Sequence, residues 1–404
     1  MSQLFQSVDG AAAPRVLMLL SNRFDPDPRV YNEARTLVKH GYQVSILAWD
    51  RDRKCPEREV MDGIAVERIF LSSRHGRGFS QLFVMPVLFW LMIKKALRLG
   101  FDVVHAHDFD TLPAGFLLSR IKNKPLIYDS HEDYAGMLHG SIPLWLEQLI
   151  RWIESKLVRR VDALFTVGET LRKEFEIRGC PRAQTLGNWK LIEDFRLPEQ
   201  LRAQMRVELK VPKESILVSY ISNLGKERHI EELLEAVSRR PQIYLVVGGN
   251  GPVATTVQEY AKRCGNIRYV GFVPPADIPR YTSACDIVYY GYDPGSPNAR
   301  FSAPNKLFEG LAAGRPLLTA KFGEIGRIVS DHGCGVILSS YSVEEILCGL
   351  DLCSVPEHLK ELKDAAARAG ENQYNWHKAE HVLLSVYNEL LSGAQRDRVS
   401  PEAA

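Results

Sequence analysis

At 404 residues, with 45% apolar and 25% charged side chains, the chain is long enough for two or three domains with sizeable cores and has the make-up of a soluble globular protein. With a formal net charge of +2, nothing suggests a nucleic-acid binder with a broad basic face. Seven cysteines, an odd number without a Cys-x-x-Cys pair, argue against a disulfide framework or a zinc site and for reduced thiols in a cytosolic protein.

Residues 1–14 are polar and alanine-rich, with no apolar signal core. Residues 15–20 read as a strand and 30–40 as a helix stopped by Gly41. Residues 43–49 read as the next strand, a strand–helix–strand unit whose short connections favour a parallel sheet. Residues 65–70 form another strand. The longest apolar run, 82–93, is interrupted by Pro86 and falls far short of the ~20 residues that span a bilayer. Lys94, Lys95 and Arg98 follow it. It reads as a core-facing helix packed on a sheet; the alternative is a basic-flanked helix lying on an anionic membrane surface. A strand at 102–106, a helix at 112–122 and a strand at 125–129 come next. Residues 144–160 space Trp145, Leu149, Trp152, Ile153 and Lys156 as one helix, and a strand at 163–167 closes the series.

Residues 187–210 are polar, charged and poorly periodic, and read as a linker. The alternation then restarts. Strands fall at 216–221, 243–248, 268–270, 287–290 and 317–319, with helices at 230–239, 253–264 and 275–282 and another around Glu309. Two such series imply an α/β protein of two Rossmann-like domains facing an inter-domain cleft, with ligands beyond the carboxyl ends of the strands. Residues 364–391 read as mostly helical with a possible break at Gly370, and 392–404 as frayed.

The most informative stretch is Ser302-Ala-Pro-Asn-Lys-Leu-Phe-Glu-Gly-Leu-Ala-Ala-Gly314. Asn305 and Lys306 open a short helix, a lone acid, Glu309, follows one turn in, and Gly314 ends it. A helix N-terminus receives anions, and a carboxylate one turn further in accepts sugar hydroxyls, so the pattern suits a nucleotide sugar; the plain alternative is an ordinary α/β helix. Asp25-Pro-Asp27 and Asp108-Phe-Asp110 spell Asp-x-Asp, but short acidic pairs occur often by chance, and no metal is expected. Asp27 fits a helix N-cap ahead of Pro28. His105 and His107 project to one strand face; zinc would need a third ligand, so partly buried, satisfied histidines are expected. His131 and Glu132 sit just past a strand end. Gly248-Gly-Asn-Gly251 lacks the Lys-Ser/Thr of a P-loop and reads as a tight turn.

Four segments together resemble the retaining, nucleotide-sugar-dependent glycosyltransferases of GT-B fold in the large family four. They are Asp27-Pro-Arg-Val30 with Glu33-Ala34 and Gly41-Tyr-Gln-Val44; Asp102-Val-Val-His-Ala-His107 with Tyr128-Asp-Ser-His-Glu132; Ser222-Asn-Leu-Gly-Lys-Glu-Arg228 with Gly248-Gly-Asn-Gly-Pro252 and Val270-Gly-Phe-Val273; and Pro304-Asn-Lys-Leu-Phe-Glu309 with Ala312-Ala-Gly314. The resemblance implies an acceptor domain at 1–190, a donor domain at 205–375, and a helix at 376–392 returning to the first. It implies that Arg228 and Lys226 grip the diphosphate, that Gly271, Phe272 and Val273 present backbone to the base, and that Glu309 holds the ribose; near the donor sugar, where Phe301 stands in place of a family glutamate, the polar neighbours Ser302, Asn305 and Lys306 would serve that pocket. His131 would bond a donor-sugar hydroxyl through ring or backbone, and Glu132 would orient the acceptor. The loop with Asn22, Asp27 and Arg29 would face the acceptor. Two departures stand out. Phe301 occupies the position of the family's other glutamate, and Ser21-Asn22 replaces a Gly-Gly pair.

The implied activity is sugar transfer from a nucleoside-diphosphate sugar to an acceptor hydroxyl with retention, in surface-polysaccharide or lipid-linked glycan synthesis. It needs no cofactor beyond the substrate, and it would take place in the cytoplasm or peripherally on the membrane's inner face. The alternatives are a non-hydrolysing sugar-nucleotide epimerase and a non-catalytic scaffold.

Overall fold

The structure, a computed structural model, describes residues 13–25, 27–73, 81–295 and 297–399. The expectations for residues 1–12 and 400–404 lie outside the described residues. The chain divides into two compact units. The first holds the described residues up to Leu186 and those from Glu380 onward; the second is Gly187–Ala379.

In the first unit the strands are β1 (Arg15–Leu19), β2 (Gln43–Asp50), β3 (Arg58–Met61), β4 (Ile64–Phe70), β5 (Val103–His107), β6 (Leu126–Ser130), β7 (Ala163–Thr166) and β8 (Ala183–Thr185). They form one sheet in the order β3-β4-β2-β1-β5-β6-β7-β8, parallel throughout except for β3 against β4. β5 and β6 are buried along their whole length, as parallel strands covered on both faces must be. The antiparallel β3, unread in the sequence, comes from Asp62-Gly63. Both residues have positive φ, 50° and 82°, which suits the two-residue hairpin turn.

In the second unit β9 (Ile216–Ile221), β10 (Ile243–Gly248), β11 (Ile267–Tyr269), β12 (Ile287–Tyr289), β13 (Leu317–Ala320) and β14 (Gly335–Leu338) form an all-parallel sheet in the order β11-β10-β9-β12-β13-β14. Renumbered within the unit this is 3-2-1-4-5-6, the doubly wound order. Its topological switch point lies between the first strand and the fourth, where the connections leave in opposite directions. The first unit repeats this arrangement around β1 and β5. The expected pair of Rossmann-like α/β units is present.

Three expectations change. Residues 187–210 are not a bare linker, because they carry the Ile192–Phe195 and Glu199–Glu208 helices. The second buries only Met205 and is tied down by Arg206, whose guanidinium donates to Asp286 Oδ2 at 3.0 Å; one buried side chain leaves no visible periodicity. Gly370 is not a break. It lies inside the Pro356–Asn372 helix, and a Cβ there would stand 2.5 Å from the Leu311 carbonyl oxygen, so it is a close helix–helix contact. The last helix, Trp376–Val399, is continuous in backbone where fraying was expected from Ser392. Its Tyr387 is fully buried in the first unit, with its hydroxyl 2.9 Å from His105 Nδ1.

Candidate active site

In the second unit β9 leads through residues 222–225 into a 3-10 turn, Lys226–Arg228. His229 follows in the left-handed region (φ 52°), and the Ile230–Ser238 helix begins there. Lys226 is exposed. Arg228 is drawn inward between two tyrosines at the end of β12. Its Nη1 donates to the Tyr290 hydroxyl at 2.5 Å, and its guanidinium carbon lies 4.3 Å from the Tyr292 ring centroid. Burial opposes its charge, but the tyrosine hydroxyls, Tyr290 first, outweigh burial and hold the pKa above the usual arginine value. Nε has no hydrogen-bond partner; the Glu227 carboxylate is 3.3 Å away without the geometry for one. A buried guanidinium N–H left open is a ready donor for an anion.

The Gly248 loop is the tight turn expected. Gly249 (φ 132°) donates to the Gly271 carbonyl at 2.7 Å, and a Cβ on it would meet the Ser222 carbonyl oxygen at 1.8 Å. Two strand ends are thereby clamped beside the Arg228 loop. Gly271 has φ 70° with open space where a Cβ would be, Phe272 is exposed and Val273 buried. The Asn305–Ala313 helix packs against β12. Lys306 and Glu309, both buried, form an i,i+3 ion pair in which Lys306 Nζ donates to Glu309 Oε2. The Asn305 side-chain oxygen accepts from Lys190 Nζ at 2.6 Å. Lys306 therefore orients Glu309 rather than offering a free ammonium. Phe301 is buried, with the Arg300 guanidinium carbon 5.4 Å from its ring centroid.

In the first unit the loops after β1, β5 and β6 carry a buried charge network. Asp27 is the expected N-cap, accepting from Arg29 N at 3.1 Å, and Asn22 Nδ2 donates to Asp27 Oδ2 at 3.0 Å. Arg29 points inward. Its Nε and Nη2 donate to Asp129 at 2.8 and 2.6 Å, and Nη1 donates to the Leu186 carbonyl at 2.5 Å. The acceptor-facing role expected of Arg29 does not match this placement, because its guanidinium is committed to a buried carboxylate.

His131 is also committed. Its Nδ1 and Nε2 lie 3.2 and 3.1 Å from Asp108 Oδ2 and Asp129 Oδ2, and its backbone N–H donates to Asp108 Oδ1 at 3.1 Å. Burial alone would neutralise the imidazole, but Asp108 and Asp129 outweigh it and hold the pKa well above the usual histidine range. A ring with both nitrogens so placed has none free for a sugar hydroxyl, which corrects the expected ring contact. Glu132, partly buried, follows, and its carbonyl accepts from Ser130 Oγ at 2.9 Å.

His105 and His107 share a face, as expected, with rings stacked at 4.2 Å. Burial pushes both pKa values down, and neither Nε2 has a partner. The further ligands that zinc would need are nearby, since Glu33, His105, His107 and Asp129 place donor atoms within 4.8 Å of one another. The set does not fit a metal. The Arg29 guanidinium already neutralises Asp129 through both oxygens and stands 3.4 Å from Glu33, whose pKa burial and then Asp129 push well up. A resident cation thus occupies the carboxylate side of the cluster.

The second Asp-x-Asp motif splits. Asp108, held in the left-handed region (φ 59°), stays ionised because His131 outweighs its burial. Asp110 is pushed up to about 7 by burial and then by the charge of Asp108, and its Oδ1 is unpartnered. Carboxyls pushed apart in this way are a recognised acid–base signature. Nothing in a three-residue motif gives the burial that separates them. Tyr290 and Tyr292, which hold Arg228, were equally invisible because they come from another strand.

Two doubly wound α/β units, with charged loops gathered at each switch point, define the class of two-domain Rossmann-like enzymes. Residues 26–189 match the family described as Glycosyl transferase 4-like domain, and residues 202–375 match Glycosyl transferases group 1. The chain belongs to the group 1 glycosyltransferases and is a glycosyltransferase. It is 23% identical to a D-inositol 3-phosphate glycosyltransferase of Corynebacterium aurimucosum, covering 90% of each chain, and 23% identical to a glycogen synthase of Mycobacterium tuberculosis, covering 89% of each. In fold it is similar to sucrose-phosphate synthase of Thermosynechococcus elongatus (TM-score 0.77, 15% identity, 94% of this chain and 100% of that one). It is similar also to the UDP complex of Anabaena HepE (TM-score 0.72, 15% identity, 93% and 100%).

Two stability predictions follow from the first unit. Arg29→Met removes the guanidinium that pairs with buried Asp129 and Glu33 and should cost about 3–5 kcal/mol in a denaturant melt; an unchanged midpoint would show that Arg29 is dispensable there. The folded state binds the Asp110 proton more tightly than the unfolded chain, whose carboxyl titrates near its ordinary value of 3.8. The contribution of Asp110 to stability therefore falls as pH rises from about 4 to about 7. Asp110→Asn should raise the melting temperature at pH 8, and the gain should shrink towards pH 4. A gain independent of pH would contradict the shifted carboxyl.

Proposed function

We propose that this glycosyltransferase takes its sugar from a nucleoside-diphosphate sugar bound at the carboxyl end of the second unit's sheet and transfers it with retention to a glycan or lipid-linked acceptor hydroxyl, in surface-polysaccharide or lipid-linked glycan synthesis. One observation carries the reading: Arg228, a largely buried guanidinium whose Nε makes no hydrogen bond, held by Tyr290 and Tyr292 at the switch point of a doubly wound sheet. That similar folds have been captured with UDP and UDP-glucose supports it.

In this scheme the bond from the anomeric carbon to the diphosphate oxygen breaks, and the acceptor oxygen attacks from the same face. The acceptor proton passes to the departing diphosphate. Charge grows on that diphosphate as the bond stretches, so Arg228, with Lys226 on the same turn, stabilises the transition state more than the bound donor. No further cofactor is needed, because these side chains supply the positive charge. Glu309, fixed by Lys306, accepts from the ribose hydroxyls, and the backbone of residues 271–273 meets the base. Glu132 orients the acceptor.

Turnover of radiolabelled sugar nucleotides tests the scheme. Diphosphate should appear only when acceptor is present, whereas interconversion of sugars alone would mark an epimerase. Arg228→Ala should lower kcat by about 10²-fold or more, by analogy with deletion of other transition-state donors. Glu309→Ala should act mainly on the donor KM. A folded Arg228→Ala enzyme with full kcat would reject the diphosphate assignment.

A further inference from the structure

The same face of the first unit's sheet carries three helices, Gln81–Ala96, Leu112–Lys122 and Leu144–Leu157. They connect β4 to β5, β5 to β6 and β6 to β7, successive crossovers running in one direction across the sheet, and right-handed crossovers in one direction fall on one face. The middle helix touches both of the others. Each buries one apolar stripe and exposes a second. In the first, Leu88, Met92 and Ala96 face the core while Val87 and Trp90 face out. In the third, Leu146 is buried while Trp145, Leu149 and Trp152 face out. The three tryptophans are 58%, 57% and 59% exposed, far beyond what a helix packed only on its own sheet requires. Trp145, Leu149, Trp152 and Lys156 fall at i, i+4, i+7 and i+11, one continuous stripe.

On these three helices the exposed charge has a single sign. Residues 81–98, 112–122 and 144–160 contain two acids, Glu147 and Glu154, and both are buried and paired, with His139 and Arg178 respectively. Lys94, Arg98, Arg120, Lys122 and Lys156 are exposed. Two of them lie over the outward tryptophans, Lys94 at 4.8 Å from the Trp90 ring and Lys156 at 5.8 Å from the Trp152 ring.

We propose that this face is a docking surface for an anionic lipid bilayer, on which the first unit lies with its tryptophans at headgroup depth and its lysines and arginines among the lipid phosphates. Aromatic side chains with a wet edge and apolar body suit that interface, and each basic residue near it adds attraction to anionic lipid. Among the described residues no helix is long and apolar enough to cross a membrane, so the contact is with one surface only. A second copy of the chain fits less well, because a two-fold contact would set this basic fringe against itself. The inference is independent of the transfer scheme and names the membrane face that a lipid-linked acceptor would require.

Co-sedimentation of the full chain with phosphatidylcholine vesicles, with and without phosphatidylglycerol, tests it without any sugar donor, so failure here leaves the transfer reaction untouched. The chain should bind the phosphatidylglycerol vesicles and be released by salt. Lys94→Glu with Lys156→Glu should weaken binding by at least about tenfold, and Trp145→Ser with Trp152→Ser by a similar factor, with melting temperatures unchanged because all four side chains are exposed. In the wild type, spin-labelled lipid should quench tryptophan fluorescence. No sedimentation, binding indifferent to these variants, absence of quenching, or a wild-type dimer that the tryptophan variants dissolve would each overturn the proposal.

Discussion

The constraint on which the rest depends is the reversal of strand order beside the first strand of each unit. With β9 between β10 and β12, and β1 between β2 and β5, the connections leave in opposite directions and the loops at the carboxyl ends part. Side chains there have no neighbouring helix to close over them. What each unit places at that opening sets its chemistry.

The two units fill it in opposite ways. The first closes its opening with a buried, compensated network in which Arg29, Asp129, His131 and Asp108 satisfy one another. Such a network stabilises little relative to an apolar core, but removing any member is costly, and it fixes the loop geometry. The second leaves its guanidinium incomplete. Tyr290 and Tyr292 hold Arg228 in place by one hydrogen bond and ring contact, and neither offers a carboxylate to neutralise it. A cation held rigid and partly dry, with one N–H still without a hydrogen bond, is poised for an anionic ligand, since little reorganisation remains to be done when one arrives.

Much of the fold was legible because parallel strands buried on both faces read as short apolar runs separated by helices, and β5, β6 and β9 stood out in this way. The Glu199–Glu208 helix was not legible, since it buries one side chain. The Gly370 contact was not, since a glycine in a helix reads as a break until its neighbour is known. Within the site, the N-cap of Asp27 was legible because it is local. The inward turn of Arg29, the clamping of His131 by two carboxylates and the separation of Asp108 from Asp110 were not, because all three depend on burial, and the first two also on a carboxylate 100 and 23 residues away. The outward stripe of Trp145, Leu149 and Trp152 carried the helical period but not the side of the helix that faces the sheet.

The most direct test of the central claim is a crystal structure of the chain soaked with a nucleoside diphosphate such as UDP. A phosphate oxygen should lie within hydrogen-bonding distance of Arg228 Nε, the donor now left open, with the ribose near Glu309. A diphosphate bound elsewhere, with that N–H still unpaired, would contradict the account.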